Sequence, residues 1–186
     1  MTTKKRLEPI VNDDSEILIL GTLPGEDSFD EKEYYSGLNN RFWNIVFASQ
    51  PNVDLKKLNY NDKVKRLKEL HIALWDIYEY AERKEGSSKD CDISLVPGTY
   101  KYNDVFKLLK QNPSIKMIAL TGISKGSQKI YSGFLDFYKN DVIAALQKGV
   151  SIVYLPSTSG FNRMKQKEVK KAWLKVLPQD GELPIC

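Results

Sequence analysis

Histidine is almost missing from this chain of 186 residues: His71 is the only one. A single imidazole cannot build a zinc cluster or a two-histidine relay, which excludes most metal-dependent hydrolysis. Cysteine is nearly as scarce. Cys91 and Cys186 lie far apart, so neither a disulfide framework nor a CxxC metal site is written here, and a reducing, intracellular setting follows. Long hydrophobic runs are also lacking. The longest are of the size of Val142–Leu146, and the charged Met1–Arg6 has no hydrophobic core behind it, so the sequence predicts no membrane span and no secretory signal, and a cytoplasmic location. Charge of one sign is in small excess: 28 basic against 24 acidic residues give +4. The pI of about 8.9 falls just short of the basic extreme that by itself marks a nucleic-acid binder. Any chemistry must therefore come from amides, hydroxyls, carboxylates or the backbone.

What is present is the composition of a folding chain. Hydrophobic residues make up 41% and charged residues 28%, near the averages for globular domains, and the length suits a single domain spanning 1–186 with a core at about 15–177. Four short apolar runs bounded by turn residues have the length of buried strands: Ile17–Leu20, Ile72–Trp75, Met117–Leu120 and Ile152–Leu155. Between them, helical periodicity appears in Phe42–Ser49, Val64–Leu70, Val105–Leu109, Gln128–Tyr138, Ile143–Leu146 and Lys165–Leu177. Strands apolar throughout, alternating with helices, predict an α/β fold: a three-layer α/β/α arrangement around a central, mostly parallel four-stranded sheet.

In such sheets ligands bind beyond the carboxyl ends of the strands. The first run ends in Gly21-Thr22-Leu23-Pro24-Gly25, the third in Thr121-Gly122 and the fourth in Pro156-Ser157-Thr158-Ser159-Gly160. The first turn is not a nucleotide triphosphate loop, because Glu26 and Asp27 stand where lysine and a hydroxyl are required. Shortly after it, Tyr34-Tyr35-Ser36-Gly37-Leu38-Asn39-Asn40-Arg41-Phe42-Trp43 concentrates aromatic and amide side chains. Phe42 and Trp43 read as core at a helix start, with Asn39 or Asn40 as its cap.

Taken together, the Gly21–Gly25 turn, Tyr34-Tyr35, Asn40-Arg41-Phe42-Trp43, Leu74-Trp75-Asp76 and Leu155-Pro156-Ser157-Thr158-Ser159 resemble the uracil-DNA glycosylase superfamily, in order from about Ile17 to Trp173. Within it the chain is most similar to the hypoxanthine (deoxyinosine) DNA glycosylase branch, then to the mismatch-specific uracil glycosylases. The resemblance implies a monofunctional DNA repair enzyme that flips a deaminated base, hypoxanthine or uracil, out of DNA and hydrolyses its N-glycosidic bond, with no cofactor and no metal; a monomer is expected. It implies Asn40 as the residue that orients the water or binds the base edge, with Asn39 as second choice, and Tyr35 as the aromatic that stacks on the base. Backbone groups of Gly21, Thr22, Leu23, Pro24 and Gly25 would hold the base carbonyl. Leu23 occupies the place where many relatives carry the water-holding Asn or Asp, a departure shared with the hypoxanthine-type branch.

The same resemblance makes Ser157, Thr158, Ser159 and Gly160 the loop that presses on the DNA backbone, with Phe161 as the wedge that fills the gap. Arg163 and Lys165 open a stretch to Lys175 holding six basic residues against one acid, Glu168, suited to phosphate. Opposed to this, Glu26–Glu33 holds five acids and one lysine beside the expected site. Leu23 and this acidic stretch keep a second reading open, a noncatalytic member that binds nucleic acid or a free base; a nucleoside hydrolase is a third. An iron-sulfur cluster is excluded, since two cysteines cannot supply four ligands. Asp76, at a strand end, could face the site but is read as a cap or structural hydrogen-bonding group, His71 as structural, and Asp90 and Asp92 as lacking ligand spacing.

Overall fold

The computed structural model describes residues 6–50, 53–87, 89–122 and 124–178; Cys186 and the other end residues lie outside these. In chain order the elements are β1 (Ile17–Gly21), α1 (Glu26–Glu31), α2 (Phe42–Val46), α3 (Tyr60–Glu69), β2 (Ile72–Asp76), β3 (Tyr78–Ala81), β4 (Tyr100–Tyr102), α4 (Val105–Gln111), β5 (Met117–Thr121), α5 (Lys125–Phe137), α6 (Lys139–Gln147), β6 (Ser151–Leu155) and α7 (Gln166–Trp173). All four apolar runs form strands, each one residue longer than its apolar stretch. They pair in parallel in the order β2-β1-β5-β6.

Alternate side chains of each strand enter two separate cores. Ile17 and Ile19 of β1, with Leu74 and Ala119, face α2, α3 and α7 through Phe42, Ile45, Leu67, Val169 and Trp173. Leu18 and Leu20, with Ala73, Ile118 and Leu120, face α4, α5 and α6 through Phe106, Ile130, Phe134 and Ala145. A sheet buried on both faces is the three-layer arrangement expected from its unbroken apolar runs. Among the described residues no helix is long and apolar enough to cross a membrane.

Two elements differ from the sequence expectation. The acidic segment after the first turn is the short helix α1. The segment after β2 folds into an antiparallel ribbon of β3 and β4, in which Tyr78, Tyr100 and Tyr102 cluster with ring centroids 5.1–5.4 Å apart. The period-2 spacing of Tyr78-Glu79-Tyr80 and Tyr100-Lys101-Tyr102 carries the strand signal, in runs too short and too polar to resemble the central strands.

The connections place the ends of the strands. From β1 the chain moves to β2 across one face, and from β5 to β6 across the other, so the neighbouring strands β1 and β5 send their chains to opposite sides. A crevice opens at their carboxyl ends for that reason. Trp173 ties the last helix to this crevice: its ring lies edge-on to Phe42 at 5.7 Å, and its Nε1 donates to the Pro156 carbonyl at 2.9 Å, where β6 turns into the Ser157–Gly160 loop. Trp173→Ala removes a fully buried indole and is expected to lower stability by about 3–5 kcal/mol, measured by urea unfolding.

Candidate active site

A cleft of about 1240 Å³ lies at the carboxyl ends of all four parallel strands, lined by Gly21–Gly25, Tyr35, Asn39, Asn40, Asp76, Thr121 and Ser157–Phe161. It gathers the base-binding, catalytic and loop residues expected from sequence, except Arg163 and Lys165, which stand exposed just beyond Phe161.

The Gly21–Gly25 turn is built to present donors. Its five carbonyls are all engaged: Gly21 O and Thr22 O accept from the Ile77 and Tyr78 amides at 3.0 and 3.1 Å, and Gly25 O accepts from the Phe29 amide at 3.1 Å. Leu23 O and Pro24 O accept from the Arg83 guanidinium at 3.1 and 3.0 Å. The Thr22, Leu23 and Gly25 amides have no partner among the described residues. With acceptors turned to the protein and donors left over, the turn suits an oxygen that carries negative charge. Thr22 itself is held by its hydroxyl, which donates to Asp90 at 2.5 Å, while Ser127 donates to the other oxygen of the same carboxylate at 2.8 Å.

Asn40 is fixed by two donors at once. Its Oδ1 accepts from the Phe42 amide at 3.0 Å and from the Thr158 hydroxyl at 2.9 Å. A backbone N–H can only donate, so the amide oxygen faces the protein, and the amide NH₂ has no partner among the described residues. The N-cap of α2 is Arg41, not Asn39 or Asn40, and it makes no side-chain cap bond; Asn40, one residue earlier, gives its oxygen to the first amide of the helix and leaves its nitrogen available at the cleft. Arg41 strengthens the same junction, its amide donating to Thr158 O at 3.0 Å and its guanidinium to Ser159 O at 3.1 Å. Gly160 closes the junction from the other side. A Cβ there would lie 2.7 Å from the Asn39 Cβ, so the backbone can come this close only without a side chain.

Thr158 is buried and its hydroxyl donates to Asn40, so its side chain positions that amide. Ser157 and Ser159 accept from the Ser159 and Phe161 amides and keep their hydroxyl protons for an outside acceptor. Phe161 is 73% exposed, and Leu38, on the facing loop, is fully exposed; both stand on the rim of the cleft.

Tyr35 adopts φ +57°, the left-handed region, which is unfavourable for a residue with a side chain. Its ring lies flat on Phe42 at 3.8 Å between centroids and 11° between planes, with its hydroxyl toward Gly21 and Thr121. Burial, and then the charge of Asp76, push that hydroxyl above the ordinary phenol range.

Asp76, at the end of β2, departs from its sequence reading. It is only 6% exposed, it caps no helix, and its Oδ2 is buried without a hydrogen-bond partner among the described residues. It pairs in register with Gly21, where any Cβ would run into its Oδ1. Burial raises its carboxyl from 3.8 to about 7; Arg83 opposes the shift and Asp90 adds to it. Among the described residues no group of three or more His, Cys, Asp or Glu side chains could hold a metal ion.

The Uracil DNA glycosylase superfamily profile matches residues 8–178. The chain belongs to the uracil DNA glycosylase superfamily. It is 30% identical over 175 residues to the hypoxanthine DNA glycosylase of Methanosarcina barkeri, covering 91% of this chain and 95% of that one. To the hypoxanthine DNA glycosylase of Methanosarcina acetivorans it is 29% identical over 171 residues, with the same coverage. It also matches the solution NMR structure of a Methanosarcina acetivorans protein put forward as a uracil DNA glycosylase, with TM-score 0.69, 28% identity, and 91% and 93% of the two chains covered.

In this superfamily member two cleft residues, Asp76 and Asp90, and Arg83 behind the first turn received no site role from the sequence. Asp76 carried a signal, a lone carboxylate at the end of an apolar strand whose rim binds ligands. Arg83 and Asp90 carried none, because they arrive from a long loop whose course only the β3–β4 ribbon determines.

Asp76 has a consequence for stability. The folded chain keeps a proton on this carboxyl that the unfolded chain releases above about pH 4, so the stability it contributes is present in acid and lost as pH rises through about 7. Asp76→Asn cannot ionise, so it is expected to melt higher than the wild type at pH 8, with the gap closing toward pH 4 in thermal unfolding followed against pH.

Proposed function

We propose that this protein is a monofunctional DNA glycosylase that flips a deaminated base, hypoxanthine first and uracil second, into the cleft and hydrolyses its N-glycosidic bond. The observation that carries this reading is the set of unpaired donors, the Asn40 NH₂ and the Thr22, Leu23 and Gly25 amides, around a cleft with an aromatic face. Breaking a glycosidic bond leaves positive charge on the sugar and negative charge on the departing base, and fixed donors around the base oxygens stabilise that separation. Tyr35, backed by Phe42, offers the stacking surface. Asn40 acts as a donor, to a base carbonyl or to the oxygen of the attacking water. Leu23, half-buried against the second core, cannot hold a water by its side chain, so that task passes to Asn40 and the backbone.

On the DNA side, Ser157 and Ser159 contact phosphate, Arg163 and Lys165 extend the contact, and Phe161 and Leu38 enter the space vacated by the base. Asp27, Asp30, Glu31 and Glu33 on the opposite rim favour a narrow footprint on the basic side. Together with Leu23, that rim supports the second reading, a member that binds lesions without turning them over.

The test is strand scission by alkali after incubation with duplexes carrying deoxyinosine or deoxyuridine. Excision of deoxyinosine is expected, and binding of a lesion duplex with no excision of any base would favour the second reading. Asn40→Asp keeps the oxygen that Phe42 and Thr158 require and replaces the NH₂ donor. It is expected to lower single-turnover excision by about 100-fold or more with melting little changed, in the range seen when one preorganised donor is removed.

A further inference from the structure

We propose that Asp76 is the proton donor of this site, delivering its proton to ring nitrogen N7 of a flipped deaminated purine as the glycosidic bond breaks. The proposal rests on the glycosylase reading above and adds to it the group that separates purine from pyrimidine substrates.

Asp76 is the one cleft carboxylate that is both deeply buried and without a described partner. Asp90 is engaged by Thr22 and Ser127, while Asp27, Asp30, Glu31 and Glu33 sit on or near the open rim. The groups that face Asp76 are Arg83 and Asp90 from the loop after β3, Tyr34 and Tyr35 from the loop before α2, and Tyr131 from α5. Of these, only Arg83 is a cation, and its guanidinium is turned to the carbonyls of Leu23 and Pro24. Burial outweighs this one cation, whose Nε–H is itself buried without a partner among the described residues, and lifts the carboxyl to about 7. Near neutral pH its acid form is populated at the cleft and can donate.

Its position suits a proton transfer. The carboxyl is at the floor of the cleft, beside Gly21, and the Tyr35 hydroxyl lies near the same glycine. In the proposed pose a purine stacked on Tyr35 turns its Hoogsteen edge toward that floor. On a purine this edge carries N7 as well as O6; a pyrimidine has no equivalent ring nitrogen. Protonating N7 withdraws electrons from the bond at N9.

In the reaction, the water oxygen bonds to C1′ while the C1′–N9 bond breaks. The electron pair of that bond passes into the purine, which takes the Asp76 proton at N7 and leaves as the neutral base. The proton lost by the attacking water returns the carboxylate to its acid form, so the step is balanced without any co-reactant. Uracil, leaving through N1 with its charge on oxygen, relies on the amide donors alone.

The experiment measures single-turnover excision from duplexes carrying deoxyinosine, 7-deaza-deoxyinosine or deoxyuridine, by wild type and Asp76→Asn, between pH 6 and 9. Wild-type excision of deoxyinosine is expected to fall as pH rises through about 7. Asp76→Asn is expected to lose about 100-fold or more on deoxyinosine and to flatten that profile, with less than about tenfold loss on deoxyuridine. The 7-deaza substrate removes the acceptor without touching the protein: wild type should lose at least 100-fold on it, and Asp76→Asn should lose nothing further. Wild type excising the 7-deaza substrate as fast as deoxyinosine overturns the proposal, as does an Asp76→Asn variant that keeps the wild-type rate or loses equally on all three. Wild type excising neither deoxyinosine nor deoxyuridine overturns the glycosylase reading itself, and this proposal with it.

Discussion

One side-chain oxygen holds this site together. Asn40 Oδ1 accepts from the Phe42 amide and from the Thr158 hydroxyl, joining the loop before α2 to the loop after β6 across 118 positions of sequence. Both acceptor sites of that oxygen are occupied by the protein, and the amide nitrogen therefore has one direction left, toward the cleft. Arg41 and Gly160 belong to the same junction: the first binds the Thr158 and Ser159 carbonyls, the second lets the backbones meet at Asn39. Beneath it, Phe42 stacks on Tyr35 and meets Trp173, so the Asn40 amide, the Tyr35 ring and the last helix share one packed support. A buried hydrogen bond of this kind contributes about 1 kcal/mol to folding, but its larger effect is geometric, since it removes rotamers that would point the amide elsewhere.

The opposite wall follows a similar logic with charge in place of packing. Arg83 binds two carbonyls of the first turn and leaves its amides for a ligand, and Asp90 does the matching work on the Thr22 hydroxyl. Two carboxylates in one small region then meet different surroundings. Asp90 receives two hydroxyl donors, whereas the buried Asp76 Oδ2 receives none among the described residues, and burial raises the Asp76 carboxyl to about 7.

The fold was legible because β1, β2 and β5 are buried on both faces and so appear as unbroken apolar runs, with the rim residues at their ends following from connectivity. Tyr35, Asn40 and the first turn came from the family resemblance, and the geometry gathers them in one cleft. The inward turn of Thr158 could not be read from sequence for a physical reason. It stands between two serines of the same chemical type, and only the alternation of the loop decides that Ser157 and Ser159 keep their hydroxyl protons while Thr158 turns inward. Asp76 was passed over because a lone acid after a strand usually caps or pairs; that it does neither depends on Gly21, the residue facing it in register, lacking a side chain. The β3–β4 ribbon was hidden by its brevity, and with it the route that brings Arg83 and Asp90 to the site.

If the Asn40 junction sets the catalytic geometry, the Thr158 hydroxyl should matter only through Asn40. The direct measurement is a double-mutant cycle of Thr158→Val and Asn40→Ala in single-turnover excision of deoxyinosine. Thr158→Val alone should slow excision about tenfold or more while lesion binding is retained, and should cost almost nothing further once Asn40 is alanine. A Thr158→Val enzyme that works at the wild-type rate, or that loses activity equally in the presence and absence of Asn40, would contradict the account.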